Sequence, residues 1–272
     1  LEDNCFTNAI YGSCRIWLDG KLVKNSDNLF MGFALAAQED PIMAPTGMVL
    51  GYGSWPTEKS GGRAVPSETE AFVAFDANRG ERILIENARP ENTPEKLAVL
   101  NRSLGFVCLY DTGEILLYRL EGQEPRSLEL PYRVGEVQDL SVTEDDRQLL
   151  IFTRSGLLEI WDLDSGDKLF SGASGVTGNR LNYYTHLQSE LDPETGMLYV
   201  YFTYEYNQGY GYWLALNRQT WSVTGQAADV YGVFHGRLYC GRNWSLVSYP
   251  VYSGEDLADR ARETLTEWSG ED

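Results

Sequence analysis

The chain has 272 residues, of which 43% are hydrophobic and 12% aromatic, the composition of a globular rather than a disordered protein. Its 22 basic and 40 acidic residues give a formal net charge of −18, which opposes binding to nucleic-acid phosphates and to anionic lipid surfaces. The longest apolar run, residues 29–37, is much shorter than the roughly 18 to 20 residues that a membrane-spanning helix needs.

A hairpin is predicted near the start of the chain. Residues 15–18 and 21–24 are strand-like and flank Asp19 and Gly20, a dipeptide that favours a two-residue turn. In a ring of sheets, this hairpin would supply missing strands to the last sheet, because closure of the ring hides exposed sheet edges. The chain starts at Leu1 rather than at a methionine, so an upstream signal, anchor or domain could have been removed.

Two units of four strands are predicted next. The strands of the first unit are predicted at residues 29–36, 47–54, 71–76 and 81–86. Between its second and third strands, residues 55–69 are rich in Pro, Gly and Ser, and we predict a long loop there. The second unit, residues 97–130, is compact, and the proline-containing connection 87–95 before it is typical of an exposed loop.

Residues 137–169 contain the clearest unit. Short apolar segments alternate with turn clusters at residues 144–147, Ser155-Gly156 and Ser165-Gly166, which predicts four strands rather than an amphipathic helix. The third segment ends in Trp161-Asp162, and we expect Trp161 to be buried between neighbouring units. The stretch resembles a blade of the WD-repeat family, although it lacks the family's Gly-His and carries Ser155 where the family has Asp.

The third-strand motif recurs with its ends at Asp76, Arg119, Asp162 and Asn217, and once more at residues 246–249. The steps from 76 to 119 and from 119 to 162 are both 43 residues, within the period of about 40 to 45 expected of propeller blades. The resemblance and the repeat predict an all-β fold, a β-propeller of four-stranded antiparallel blades of a divergent bacterial WD-repeat type. Six blades are expected first, and five or seven remain open.

The rest of the chain continues this pattern. After a Gly- and Ser-rich connection at 171–182, strands are predicted at 183–190 and 198–204, an insertion at 205–211, and a short last unit at 228–251. Leu257, Ala261, Leu265 and Trp268 then recur at helical spacing. We therefore divide the chain into a propeller, residues 1–252, and a short C-terminal helix and tail, residues 253–272, which could also begin a linker to another domain.

The sequence contains no recognisable catalytic or metal-binding motif. Its cysteines and histidines have no metal-ligand spacing, and no nucleotide-binding glycine motif occurs, so we predict no catalytic residue, no metal and no cofactor. Cys5 and Cys14 could pair in an oxidising compartment. One alternative is a carbohydrate-active enzyme, since Asp139 and Asp229 lie near predicted inner-strand ends. Another is an extracytoplasmic ligand-binding propeller.

Function is therefore expected from the loops. In a propeller, links between second and third strands lie on the same face as links between blades. Four long predicted links are of these two kinds, whereas the long link at residues 37–46 is a first turn and falls on the opposite face. The residues predicted to bind a partner there are Trp55, Lys59, Arg63, Arg180, Tyr206 and Tyr210. We expect a non-catalytic protein- or peptide-binding or sensing domain of a larger bacterial protein, with no nucleic-acid partner and no membrane insertion.

Overall fold

The structure is a computed structural model with two compact units, Leu1–Leu149 with Asp162–Asp167 and Leu150–Trp161 with Lys168–Asp272. It describes residues 6–10, 13–18, 21–26, 42–60, 63–76, 79, 81–120, 124–133, 135–176, 184–192, 195–204, 211–234, 237–242, 245–250 and 262. Within this part of the chain the regular structure is almost entirely β-strand, and no helix is long and apolar enough to cross a membrane.

The strands of the described residues are numbered in chain order. They are β1 (Phe6–Ile10), β2 (Ser13–Leu18), β3 (Lys21–Ser26), β4 (Ile42–Met43), β5 (Met48–Ser60), β6 (Arg63–Asp76), β7 (Glu81–Ile85), β8 (Pro94–Val99), β9 (Gly105–Tyr110), β10 (Ile115–Arg119), β11 (Arg126–Leu128), β12 (Val137–Val142), β13 (Gln148–Thr153), β14 (Leu157–Asp162), β15 (Lys168–Ala173), β16 (Tyr184–Asp192), β17 (Met197–Tyr204), β18 (Gly211–Asn217), β19 (Ser222–Phe234), β20 (Arg237–Arg242) and β21 (Ser245–Pro250).

These strands form five sheets in which neighbours in sequence are also neighbours in space. The sheets are β1–β3, β4–β7, β8–β11, β12–β15 and β16–β21. The predicted all-β fold with four-stranded antiparallel blades is confirmed. The number of sheets in the described residues fits five blades rather than the six expected first.

The expected sixth blade is absent from the described residues because β19 runs unbroken from the sheet that begins at β16 into the last predicted unit, residues 228–251. Its first part pairs with β18 and its last part with β20, and Val230 pairs with Gly211 on one side and with Cys240 on the other. A register shift between Val230 and Gly232 accompanies the change of partner. The last three strands therefore extend the preceding sheet instead of forming a separate one.

The N-terminal hairpin is confirmed, but its expected role is wrong for the described strands. β2 and β3 are antiparallel with Leu18 opposite Lys21, as the Asp19-Gly20 turn predicts. A strand that we did not predict, β1, pairs with the other side of β2. The strands β1–β3 therefore form a sheet of their own, and this sheet shares no strand with the sheet that ends at β21.

Three sequence predictions lie outside the described residues. They are the inner strand at 29–36, the pairing of Cys5 with Cys14, and the C-terminal helix at 253–272 apart from Arg262, whose backbone is helical. The first described strand of the β4–β7 sheet is β4, which pairs with β5 at Ile42↔Leu50 and Met43↔Val49.

The first compact unit, Leu1–Leu149 with Asp162–Asp167, has an aromatic core between the sheets β4–β7 and β8–β11. Phe72 lies 4.8 Å from Tyr52, 4.9 Å from Phe106 and 5.3 Å from Tyr118, measured between ring centroids. All residues of β9 are buried, so both faces of this strand are covered. Gly105 begins β9 where a Cβ atom would lie 2.4 Å from the backbone oxygen of Tyr118, and only glycine therefore fits this close approach.

In the second compact unit, Leu150–Trp161 with Lys168–Asp272, the strand β17 lies between two apolar clusters. Leu198, Val200 and Phe202 pack in a cluster with residues of β13, β14 and β18. Met197 and Tyr199, which alternate with them, belong to a second cluster with residues of β18, β19 and β20. Because alternate side chains of a strand point to opposite faces, β17 is buried on both sides.

The end of the third strand has a recurring turn chemistry. Asp76, Asp162 and Asn217 end β6, β14 and β18. The side chain of Asp76 accepts a hydrogen bond, and those of Asp162 and Asn217 accept two each, from backbone N–H groups of the turn that follows. These are the Asp and Asn positions of the repeat found in the sequence. A short carboxylate or amide at this site satisfies N–H groups that the turn would otherwise leave unpaired.

Asp146, in the turn between β12 and β13, joins this turn to the segment before β9. Its carboxylate accepts hydrogen bonds from the backbone N–H groups of Asn101, Arg102 and Ser103 and from the Ser103 hydroxyl. Its backbone has a positive φ of 60°, a conformation that Asp tolerates better than most residues. We refer to these contacts of Asp146 with residues 101–103 as the Asp146 clasp.

Candidate functional site

The most extended feature of the first unit is a two-stranded ribbon made by the outer parts of β5 and β6, residues 54–60 and 63–70. Backbone pairing between them continues from Ser54↔Glu70 to Ser60↔Arg63. β4 reaches β5 only at Val49 and Leu50, and β7 pairs with β6 only from Phe72 onward. Among the described strands, the ribbon residues therefore pair only with each other.

The long loop predicted at residues 55–69 is therefore wrong, because this segment is a hairpin. Pro56 lies opposite Pro66, and register shifts on both sides of Pro56 accommodate the missing backbone donors. The signal that could have revealed the hairpin is Gly61-Gly62, a two-residue turn dipeptide between strand-like flanks.

The structure places three of the six predicted partner-binding residues on the ribbon. Trp55 and Lys59 lie in β5, and Arg63 begins β6 and pairs with Ser60, the neighbour of Lys59. The other three, Arg180, Tyr206 and Tyr210, lie outside the described residues. The insertion that contains the two tyrosines connects β17 to β18, which are again the second and third strands of a sheet.

The two carboxylates of the enzyme alternative lie in different strands. Asp139 lies in β12, is 8% exposed and interacts with other residues. Asp229 lies in β19, and its side chain is outside the description. No group of three or more His, Cys, Asp and Glu side chains within the described residues could hold a metal ion.

Arg119 breaks the turn chemistry of the repeat. It ends β10, where the other third strands end in Asp76, Asp162 or Asn217, and a guanidinium cannot accept hydrogen bonds from turn N–H groups. Within the described residues the Arg119 guanidinium donates no hydrogen bond. It forms an ion pair with Asp164, with 3.5 Å between Nη2 and Oδ1, and the Asp164 side chain is 81% exposed.

A pocket of about 320 Å³ lies beside Arg119 at the end of β10. It is lined by Leu117, Arg119, Glu124, Arg126 and Asp164. The Arg126 guanidinium donates to the backbone oxygens of Leu163 and Asp164, so its position is fixed by the turn after β14. Sequence analysis missed this site, although the replacement of Asp by Arg119 within the repeat is visible in the sequence.

A polar cluster around the buried tyrosines Tyr110 and Tyr118 anchors the connection between β7 and β8. The hydroxyls of Tyr110 and Tyr118 are 2.5 Å apart, and Tyr110 also donates to Asn87 Oδ1 at 2.6 Å. Arg89, two residues further on, donates two hydrogen bonds of 2.7 Å to the Glu114 carboxylate and thereby lowers the pKa of Glu114. Burial raises the pKa of both tyrosines.

We expect the Tyr110→Phe variant to lose less stability at alkaline pH than the wild-type chain. The folded-state pKa of Tyr110 is raised, so its stabilising effect is complete below about pH 10, the pKa of an unfolded tyrosine, and is lost as the pH rises further. The urea midpoint at pH 8 and at about pH 10.5 measures this loss. Tyr249→Phe, at an exposed tyrosine, is the control and should not reduce the loss. An equal alkaline loss in Tyr110→Phe and wild type would contradict the prediction.

Comparison with known proteins does not assign the chain to a family: no protein-family model matches it, and no curated protein matches it.

Proposed function

We propose that the protein is a non-catalytic binding module, a divergent bacterial propeller of WD-repeat type that recognises a protein or peptide through the β5–β6 ribbon. The observation that carries this proposal is the continuous pairing of residues 54–60 with 63–70 beyond the strands that flank them. The WD-repeat type is supported by Trp161-Asp162 at the end of β14 and by the repeat of 43 residues.

The ribbon has the features of a recognition element. A two-stranded hairpin alone is marginally stable in water, so a long ribbon gains from a surface that covers it. Its backbone edges can pair with an extended peptide, except at Pro56 and Pro66, which lack N–H donors. Trp55 and Arg63 belong to residue types that are enriched among the dominant contacts of protein interfaces.

The test removes the ribbon without disturbing the sheet. Deleting residues 55–60 and 63–69 joins Ser54, Gly61, Gly62 and Glu70, so that two residues that already pair close a Gly-Gly turn. We expect the shortened chain to keep its melting temperature and to lose the partners that the intact chain retains from host extract in a quantitative pull-down.

A second variant keeps the ribbon and replaces its side chains, as Trp55→Ala, Lys59→Ala and Arg63→Ala together. We expect it to weaken partner binding by at least about tenfold, since side chains of these types dominate interface energetics. If the shortened chain retains the same partners as the intact chain, the ribbon is not the binding element.

A further inference from the structure

The pocket beside Arg119 shares no lining residue with the ribbon. Its lining contains two cations, Arg119 and Arg126, and two anions, Glu124 and Asp164, together with the buried side chain of Leu117. Arg126 donates to two backbone oxygens, so its guanidinium is already engaged. Arg119 is therefore the arginine that can receive a ligand.

The charge pattern of the pocket limits the chemistry of that ligand. The Arg119 side chain is 33% exposed, whereas that of Asp164 is 81% exposed, so the cation lies deeper than the anion. A bidentate carboxylate is the ligand that matches a guanidinium with free donors. A dianion such as phosphate would have to approach Glu124 and Asp164, which disfavours it.

We infer that this pocket binds a small zwitterion of the α-amino-acid class, with its carboxylate on Arg119 and its ammonium group between Asp164 and Glu124. Such a ligand adds no net charge to a chain whose formal charge is −18, so it avoids the repulsion that a free anion meets. The ion pair between Arg119 and Asp164 is long and largely exposed, so its loss on binding costs little.

Three matched probes test this inference by NMR titration of the full chain. L-Valine carries both charges, isovalerate lacks the ammonium group, and isobutylamine lacks the carboxylate. We expect valine at millimolar concentration to shift the Arg119 Nε–Hε signal saturably, and each analogue to bind at least about tenfold more weakly.

Variants of the lining residues separate the roles of the two charges. Arg119→Gln should abolish the valine-induced shifts of backbone amides in β10 and β11, whereas Arg154→Gln, at an exposed arginine in another turn, should leave them unchanged. Asp164→Asn, at a side chain too exposed to affect folding, should weaken valine binding but not isovalerate binding. Equal affinity for valine and isovalerate, no saturable shift with valine, or unchanged valine binding by Arg119→Gln would each overturn the inference.

Discussion

Replacing Asp146 by alanine should lower the free energy of unfolding by about 2 to 4 kcal/mol. The carboxylate accepts four hydrogen bonds from residues 101–103, and a hydrogen bond to a charged group contributes roughly 1.5 to 3 kcal/mol. The four contributions do not add fully, because Arg102 is exposed and water can replace part of the carboxylate. Alanine is also less favourable than Asp at a φ of 60°.

Urea denaturation followed by circular dichroism measures this loss, and two variants act as controls. Asp146→Asn keeps one acceptor oxygen and the tolerance for positive φ, so its loss should be intermediate. Asp167→Ala removes the same charge from a turn where the side chain accepts no hydrogen bond within the described residues, and should change stability by less than about 0.5 kcal/mol. If Asp146→Ala is no less stable than Asp167→Ala, the Asp146 clasp does not stabilise the fold.

Replacing Trp161 by alanine should cost about 3 to 5 kcal/mol. Trp161 is 8% exposed, which confirms the burial expected from the sequence. The ammonium group of Lys168 lies 4.6 Å from the centre of the Trp161 ring and 2.8 Å from the buried carboxylate of Glu159. Truncation therefore removes apolar packing and one of the two contacts that hold this ammonium group.

The melting temperature and the urea midpoint of Trp161→Ala give this loss. Trp161→Phe keeps an aromatic ring over Lys168 and should lose clearly less. Leu157→Ala, at a 38% exposed position of the same strand, should lose less than about 1 kcal/mol. A loss in Trp161→Ala that only equals that of Leu157→Ala would mean that the indole contributes no more than an exposed side chain.

The sequence predicts the structure well where turns are short and their chemistry is local. Strand β13 spans Gln148–Thr153, as predicted from the turn residues on both sides, Asp145 and Asp146 before it and Ser155 and Gly156 after it. The recurring third-strand motif in the sequence identifies Asp76, Asp162 and Asn217, and in the structure all three cap turns. Local hydrogen bonds of this kind require Asp or Asn at a fixed position before the turn, so they can be predicted from the sequence.

Features that depend on distant residues could not be predicted in this way. The Asp146 clasp joins segments more than forty positions apart, and nothing near Asp146 identifies Asn101 or Ser103 as its partners. The β5–β6 ribbon was hidden by Pro56 and Pro66, which oppose strand formation locally but face each other across the ladder. The pocket at Arg119 also requires Asp164 from a later turn.

The unbroken strand β19 has a consequence for how the last described strands, β20 and β21, unfold. Strand β19 pairs with β18 through its first part and with β20 through its last part, so separation of β19 from β18 also disturbs its pairing with β20. We therefore expect the hairpin of β20 and β21 to unfold together with β18 instead of fraying alone. When this sheet forms, the pairing of β19 with both β18 and β20 joins the last strands to the strands before them.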